Sequence, residues 1–199
     1  MRTTSGRFRA LSSPRSEEEW VFVSLPAPDE DPDAHEYEPA FVADSEVLAA
    51  VEPGALVSAT LDWEASPPTV SELAVERETR YRFVPETTNL FEAAQDAWAE
   101  AVTGGAGMNS TVLRNTDGEE TGVCYVFGDR GGDLFDEFRR GTRPIEPLVL
   151  RVNRSRDDAE MARSVFVLDP VGDPFVAVAV AFDREGLLAR TMRDTYLDD

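Results

Sequence analysis

The chain contains no lysine: all 19 of its basic residues are arginine. Lysine is ordinarily among the commonest residues, and its absence closes several chemistries at once. Schiff-base and pyridoxal phosphate catalysis need a lysine amine. A phosphate-binding P-loop needs its Gly-Lys-Ser/Thr, and a protein kinase needs a strand lysine. Cysteine and histidine are scarce too, with Cys124 and His35 the single examples. One of each cannot build the usual His/Cys zinc site. A lone cysteine forms no intramolecular disulfide, which fits a reducing cytoplasm. A Ser-His-Asp triad would have to use His35, which falls in the stretch with the least predicted order. Cys124 falls inside a predicted strand, where a small buried hydrophobe is the expected role. No apolar run approaches the roughly 18 residues of a membrane span, and residues 1–10 lack the apolar core of a signal peptide. The expectation is a soluble cytoplasmic protein with no cofactor, no metal and no membrane partner. Carboxylate chemistry, divalent ions on oxygen ligands and arginine-based anion binding remain open.

What the chain has in excess is acid. Its 39 Asp and Glu residues give a formal net charge of −20 across 199 residues. Such a charge repels itself at low ionic strength. In about 1 M salt the Debye length falls to about 3 Å, and the same charges hardly interact. Surface carboxylates then hold water and keep the protein soluble, while arginine still forms bidentate pairs by geometry. The acid is spread evenly, with residues 1–85 and 86–199 each at −10. That distribution predicts adaptation to molar salt rather than a nucleic-acid mimic or a local acidic tail.

Hydrophobic patterning divides the chain near Pro85. Residues 6–11 and 19–25 read as strands. Residues 26–40 form an acidic loop rich in Pro and Asp, expected to be mobile. A short helical pattern follows at Val47–Val51, then strands over 55–63 and, beyond Pro67-Pro68, one long or kinked strand over 69–83. The predicted first domain, 1–85, is a small antiparallel β-barrel-like, OB-like unit. In the second, 86–199, Thr88 or Asn89 opens a helix with apolar Leu90, Phe91, Ala94, Trp98 and Ala101, ended by Gly104-Gly105. Asp117-Gly118 marks a hairpin. Asp133 caps a helix over 134–140, stopped by Gly141. Residues 163–169 and 174–183 read as buried strands, and 186–196 as a last helix. This half is predicted as an antiparallel sheet with helices on one face, making the whole chain α+β.

Three features are candidates for function. From Arg139 to Arg156 six arginines face one acid, Glu146. Of these Arg139, Arg140, Arg143, Arg151 and Arg154 form the candidate site for an anion or nucleic acid, or else pair with the chain's own carboxylates. At molar salt counterion release contributes little, so affinity would come from bidentate forks and stacking. The turn at Gly104–Gly107 follows a helix, whereas phosphate loops precede one; it reads as a connector, with Asn109 and Ser110 as possible polar contacts. Arg80 and Arg82 alternate with Tyr81 and Phe83, which places the aromatics in the core and the arginines outside. The acidic pairs Glu119-Glu120, Asp157-Asp158 and Asp198-Asp199 have no metal-site spacing.

Gly107-Met108-Asn109, the Asp117-Gly118 hairpin, Tyr125-Val126-Phe127, the Leu134-Phe135 helix and the closing Arg193-Asp194-Thr195-Tyr196 together resemble a family of haloarchaeal proteins of about this length. That family is a domain of unknown function, so the resemblance implies a salt-adapted origin and carries no catalytic residues over. The functional expectation is a non-enzymatic binding or regulatory protein with an arginine-lined site. One alternative is an enzyme acting on an anionic or phosphorylated small molecule, which needs a pocket joining the arginines to a desolvated acid. Another is a pure interaction module, which needs an exposed apolar patch of several hundred Å².

Overall fold

A computed structural model describes residues 1–197, and the pair Asp198-Asp199 lies outside the described residues. The fold is α+β, with two mostly antiparallel five-stranded sheets and four helices. The chain divides into two compact units. One comprises Met1–Arg80 and Asp136–Arg151, and the other Tyr81–Phe135 and the described residues from Val152.

In the first unit the strands are β1 (Thr3–Ser12), β2 (Glu19–Leu25), β3 (Pro39–Ala43), β4 (Leu56–Asp62) and β5 (Thr69–Arg77), in the order β3-β2-β1-β4-β5. Alternation decides which side chains meet. Phe8 and Ala10 of β1 share a face with Phe22 of β2 and with Val57 and Ala59 of β4, and these pack with Val42, Leu61 and Val70 into one core. A 3-10 turn, Glu46–Leu48, adds Leu48 to that core. The opposite face carries Arg9, Leu11, Val21 and Val23, all buried as well. Chain from the 136–151 segment covers it: Gly141 approaches so closely that an added Cβ would stand 2.6 Å from a Val23 methyl and 3.2 Å from Pro39. Its φ of +71° also suits glycine alone.

The sheet does not close into a barrel. Its two outer strands meet at one point, where the Ala43 amide donates to the Pro68 carbonyl at 2.9 Å. Pro67 and Pro68 have no N–H to offer, so no ladder grows from that contact. The predicted long strand over 69–83 is also two strands: β5 ends at Arg77, and β6 (Arg80–Thr87) belongs to the other sheet. The break at Glu78-Thr79 contains neither glycine nor proline, and Thr79 is buried there.

The second unit holds α1 (Glu92–Thr103), β7 (Met108–Arg114), β8 (Glu120–Gly128), β9 (Ser164–Pro170), β10 (Phe175–Ala181) and α4 (Leu187–Tyr196). Its sheet runs β6-β9-β10-β8-β7. All seven residues of β10 are buried, as a central strand covered on both faces requires. Its Phe175, Ala177, Ala179 and Ala181 pack with Ala94 and Ala97 of α1 and Ala189 and Met192 of α4, placing both helices on one face as predicted. Helix α1 begins without a side-chain cap. The Tyr196 hydroxyl substitutes for one, accepting from the Phe91 amide at 2.9 Å and donating to the Asn89 carbonyl at 3.1 Å. Two short helices, α2 (Leu134–Arg139) and α3 (Glu146–Arg154), complete the fold. The cap of α2 is Asp129, whose Oδ1 accepts from the amides of Gly132, Asp133 and Leu134, rather than Asp133.

Candidate functional site

The arginine-rich stretch is not a uniform cationic surface. Arg139 ends α2 with its guanidinium 4.0 Å from the Asp136 carboxylate. Arg143 donates from Nε to Glu137 at 3.1 Å. Arg154, exposed at the end of α3, falls in the other unit from the remaining four. Arg140 and Arg151 are exposed, and neither side chain has an acidic partner among the described residues. On α3 the apolar positions Val149 and Val152 are buried while Arg151 and Arg154 are exposed, the i, i+3 spacing placing these two on one flank. None of the three cavities described below is lined by any of the five arginines.

Asn109 and Ser110 have a structural use. The Asn109 amide donates to the Ala97 carbonyl of α1 at 2.9 Å and to Glu100 at 3.3 Å, while its oxygen accepts the Ser110 amide at 2.9 Å. This ties α1 to the outermost strand and occupies one N–H there.

The single acid of the arginine stretch, Glu146, is the partner of an arginine far away in sequence. Arg9 donates from Nε and Nη2 to the two Glu146 oxygens at 2.9 and 2.8 Å, and from Nη1 to the Gly54 carbonyl at 2.9 Å. Both side chains are under a tenth exposed, so this bidentate pair sits where water cannot compete. A second buried arginine, Arg163, is 1% exposed. It donates to Asn153 Oδ1, the Phe182 carbonyl and Asp158. Arg156 forks onto the same Asp158 carboxylate and lies over the Phe182 ring at 3.8 Å. Hydrogen bonds from Arg156 and then Arg163 hold the Asp158 carboxyl far below the usual range. A shallow cavity of about 290 Å³ adjoins, lined by Ser155, Arg156, Asp157 and Asp158. Arg156 and Arg163 both already hold the Asp158 carboxylate, which marks a structural rivet.

The predicted mobile loop carries the least anticipated geometry. His35 donates or accepts at both ring nitrogens: Nδ1 lies 3.0 Å from Glu30 Oε1 and Nε2 lies 3.3 Å from Ser24 Oγ. The ring is edge-on to Tyr37, 5.0 Å between centroids, and its side chain is 14% exposed. Glu30 also accepts from the Ala27 amide at 3.1 Å, and the hydrogen bond from His35, followed by that from Ala27, lowers its carboxyl below the ordinary value. Ser24 Oγ accepts from the Glu38 amide at 2.9 Å and donates to the Glu36 carbonyl at 3.1 Å. The sequence sets His35 aside as a triad member because of the Pro- and Asp-rich segment around it. The fold brings it between a hydroxyl and a carboxylate, and no local motif announces that Ser24, on a strand, would be the third member.

Glu30 also borders the groove of about 720 Å³ on the first unit, lined by Arg7, Leu25, Ala27, Pro28, Ser58, Thr60 and Glu72 among others. Arg7 is anchored there by Glu76 at 3.0 Å and by the Pro26 carbonyl at 3.1 Å. A smaller cleft of about 400 Å³ lies beside Trp20, whose indole N–H donates to Asp44 at 3.0 Å. Among the described residues no group of three or more His, Cys, Asp or Glu side chains could hold a metal ion. Among the described residues no helix is long and apolar enough to cross a membrane.

The matches to known proteins define only the family. Residues 1–199 match the family of unknown function DUF6663, and the chain belongs to it. No curated protein and no solved structure matches the chain.

Proposed function

We propose that the protein is a salt-adapted cytoplasmic binding protein that takes an anionic ligand on the arginine-bearing 139–151 segment. The observation that carries this proposal is the pair Arg140 and Arg151, exposed and without acidic partners among the described residues in a chain with twice as many acids as bases. Carboxylates are abundant enough to neutralise every guanidinium, as they do for Arg139 and Arg143. Two unpaired forks retain the planar donor sets that suit phosphate or carboxylate oxygens. The enzyme alternative on such a ligand needs a pocket joining these arginines to a buried acid, and none of the three cavities described above does so.

Titration of a fluorescein-labelled single-stranded oligonucleotide, and separately of inorganic pyrophosphate, into the protein in molar KCl tests the proposal. Binding of either probe that weakens at least tenfold in the Arg140→Gln/Arg151→Gln variant supports it. Absence of binding for both probes, or equal binding by the variant, refutes it.

A further inference from the structure

The Ser24, His35 and Glu30 side chains stand in the order that nucleophilic acyl transfer uses, and the sites of anion binding proposed above do not involve them. In neutral His35 with its proton on Nδ1, the N–H donates to the Glu30 carboxylate and the Nε2 lone pair lies 3.3 Å from Ser24 Oγ, whose proton reaches it by turning about the Cβ–Oγ bond from the Glu36 carbonyl at 3.1 Å. That distance is the ordinary looseness of such a contact before substrate binds. Three restraints fix the ring: the Glu30 bond, the Ser24 contact and the Tyr37 edge at 79°. Glu30 is in turn held by the Ala27 amide. The Glu38 amide, donating to Ser24 Oγ at 2.9 Å, favours charge developing on that oxygen. Both Ser24 and His35 retain partial exposure, so the group is reachable from solvent.

We propose that Ser24 is a nucleophile for hydrolysis of a short-chain carboxylic ester, with His35 as general base and acid and Glu30 as the residue that positions His35. The steps balance without oxidant or reductant. Ser24 Oγ bonds to the ester carbonyl carbon while its proton passes to His35 Nε2. The bond from that carbon to the alkoxy oxygen then breaks, and the leaving oxygen takes the proton from Nε2. Water attacks the resulting acyl-serine, gives one proton to Nε2, and releases the acid as Ser24 recovers that proton. One ester and one water become one acid and one alcohol.

A fluorophosphonate probe tests the nucleophile directly, because Ser24 Oγ would bond to phosphorus as fluoride leaves and the serine proton passes to His35. In molar KCl, with the adduct mapped by peptide mass spectrometry, we expect one adduct per chain, on Ser24. His35→Gln should slow labelling at least about 100-fold, the lower end of what a general base contributes. Glu30→Gln should lower kcat for p-nitrophenyl acetate while leaving KM unchanged, which a purely structural contact would not do selectively. Mapping the wild-type chain keeps the proposal falsifiable even where Ser24→Ala does not fold. No adduct on Ser24, adducts spread over other serines at equal rates, or labelling unchanged in a folded His35→Gln variant would each overturn it. Labelling that persists in Arg140→Gln/Arg151→Gln separates this site from the anion-binding proposal.

Discussion

Removing the carboxylate of Glu146 should destabilise the first unit more than any other single loss of a charge there. In Glu146→Ala the Arg9 guanidinium, 4% exposed in the wild type, loses both carboxylate oxygens and keeps the neutral Gly54 carbonyl as an acceptor. A buried ion left without its partner costs about 3–5 kcal/mol, against about 5–15 kcal/mol for the whole stability of a typical domain. Replacing both members, as Arg9→Met with Glu146→Leu, removes the orphaned charge together with its cost, and such exchanges are often neutral or stabilising. Urea unfolding followed by circular dichroism at fixed KCl gives the four corners of the cycle. The expected pattern is two costly single variants and a double variant within about 1 kcal/mol of wild type, because the two losses share one cause. The exposed pair of Arg143 and Glu137, 59% and 42% exposed, supplies the contrast, at under about 1 kcal/mol. Raising KCl should erase the second effect and leave the first. Single variants of the Arg9 pair costing under about 1 kcal/mol, or a double variant costing the sum of the singles, would refute the claim that this pair is desolvated.

Three further outcomes follow from the second unit. The Asp158 carboxyl is depressed by Arg156 and Arg163, so its contribution to stability is full above the ordinary value of 3.8 and is lost as pH falls through the lower folded value. Urea midpoints across the acid range should fall more steeply for wild type than for Asp158→Asn, and parallel curves would contradict the assignment. Burial pushes the Cys124 thiol up to about 12, so iodoacetamide at neutral pH should label it only after unfolding; rapid native labelling would show the strand open. Gly122→Ala places a Cβ 2.6 Å from both a Leu188 methyl and the Val180 carbonyl oxygen, which predicts a loss of about 1–3 kcal/mol. Leu188→Ala should restore only part of the melting temperature, since the carbonyl cannot retreat, and full rescue would point to the side chain alone.

Much of the second unit was legible because local signals agreed there. The Asp117-Gly118 turn lies between β7 and β8, the apolar runs became β9 and β10, and Gly104 stands at the end of α1. The first sheet was harder. Strand β3 has only five residues and hides behind a Pro- and Asp-rich segment. The break between β5 and β6 is set by which sheet each half joins, with no turn residue to mark it. Helix α3 was masked by its arginines, although Glu146, Val149 and Val152 recur at three-residue spacing and are all buried. The arginine stretch was visible as composition, but composition cannot say that Glu137 and Asp136 neutralise two of its members. The meeting of Ser24, His35 and Glu30 depends on how residues 26–38 fold back. That path is set by contacts such as Arg7 to the Pro26 carbonyl and Tyr37 to the Pro32 carbonyl, neither of which leaves a pattern in the sequence.

The return of residues 136–151 to the unit built by the first 80 has a consequence for how the protein is made. Arg9 and Glu146 are 137 positions apart, so at about 5–20 residues per second the ribosome adds the second roughly 7–30 s after the first. Throughout that interval the nascent β1 and β2 lack the segment that brings Gly141 over Val21 and Val23 and Glu146 to the Arg9 guanidinium. The amino-terminal portion therefore waits as an incomplete sheet with an apolar outer face, vulnerable to capture by neighbouring chains. A ribosome-bound fragment halted before Asp136 should be protease-sensitive over β1 and β2, and one carrying the chain through Arg151 free of the ribosome should not.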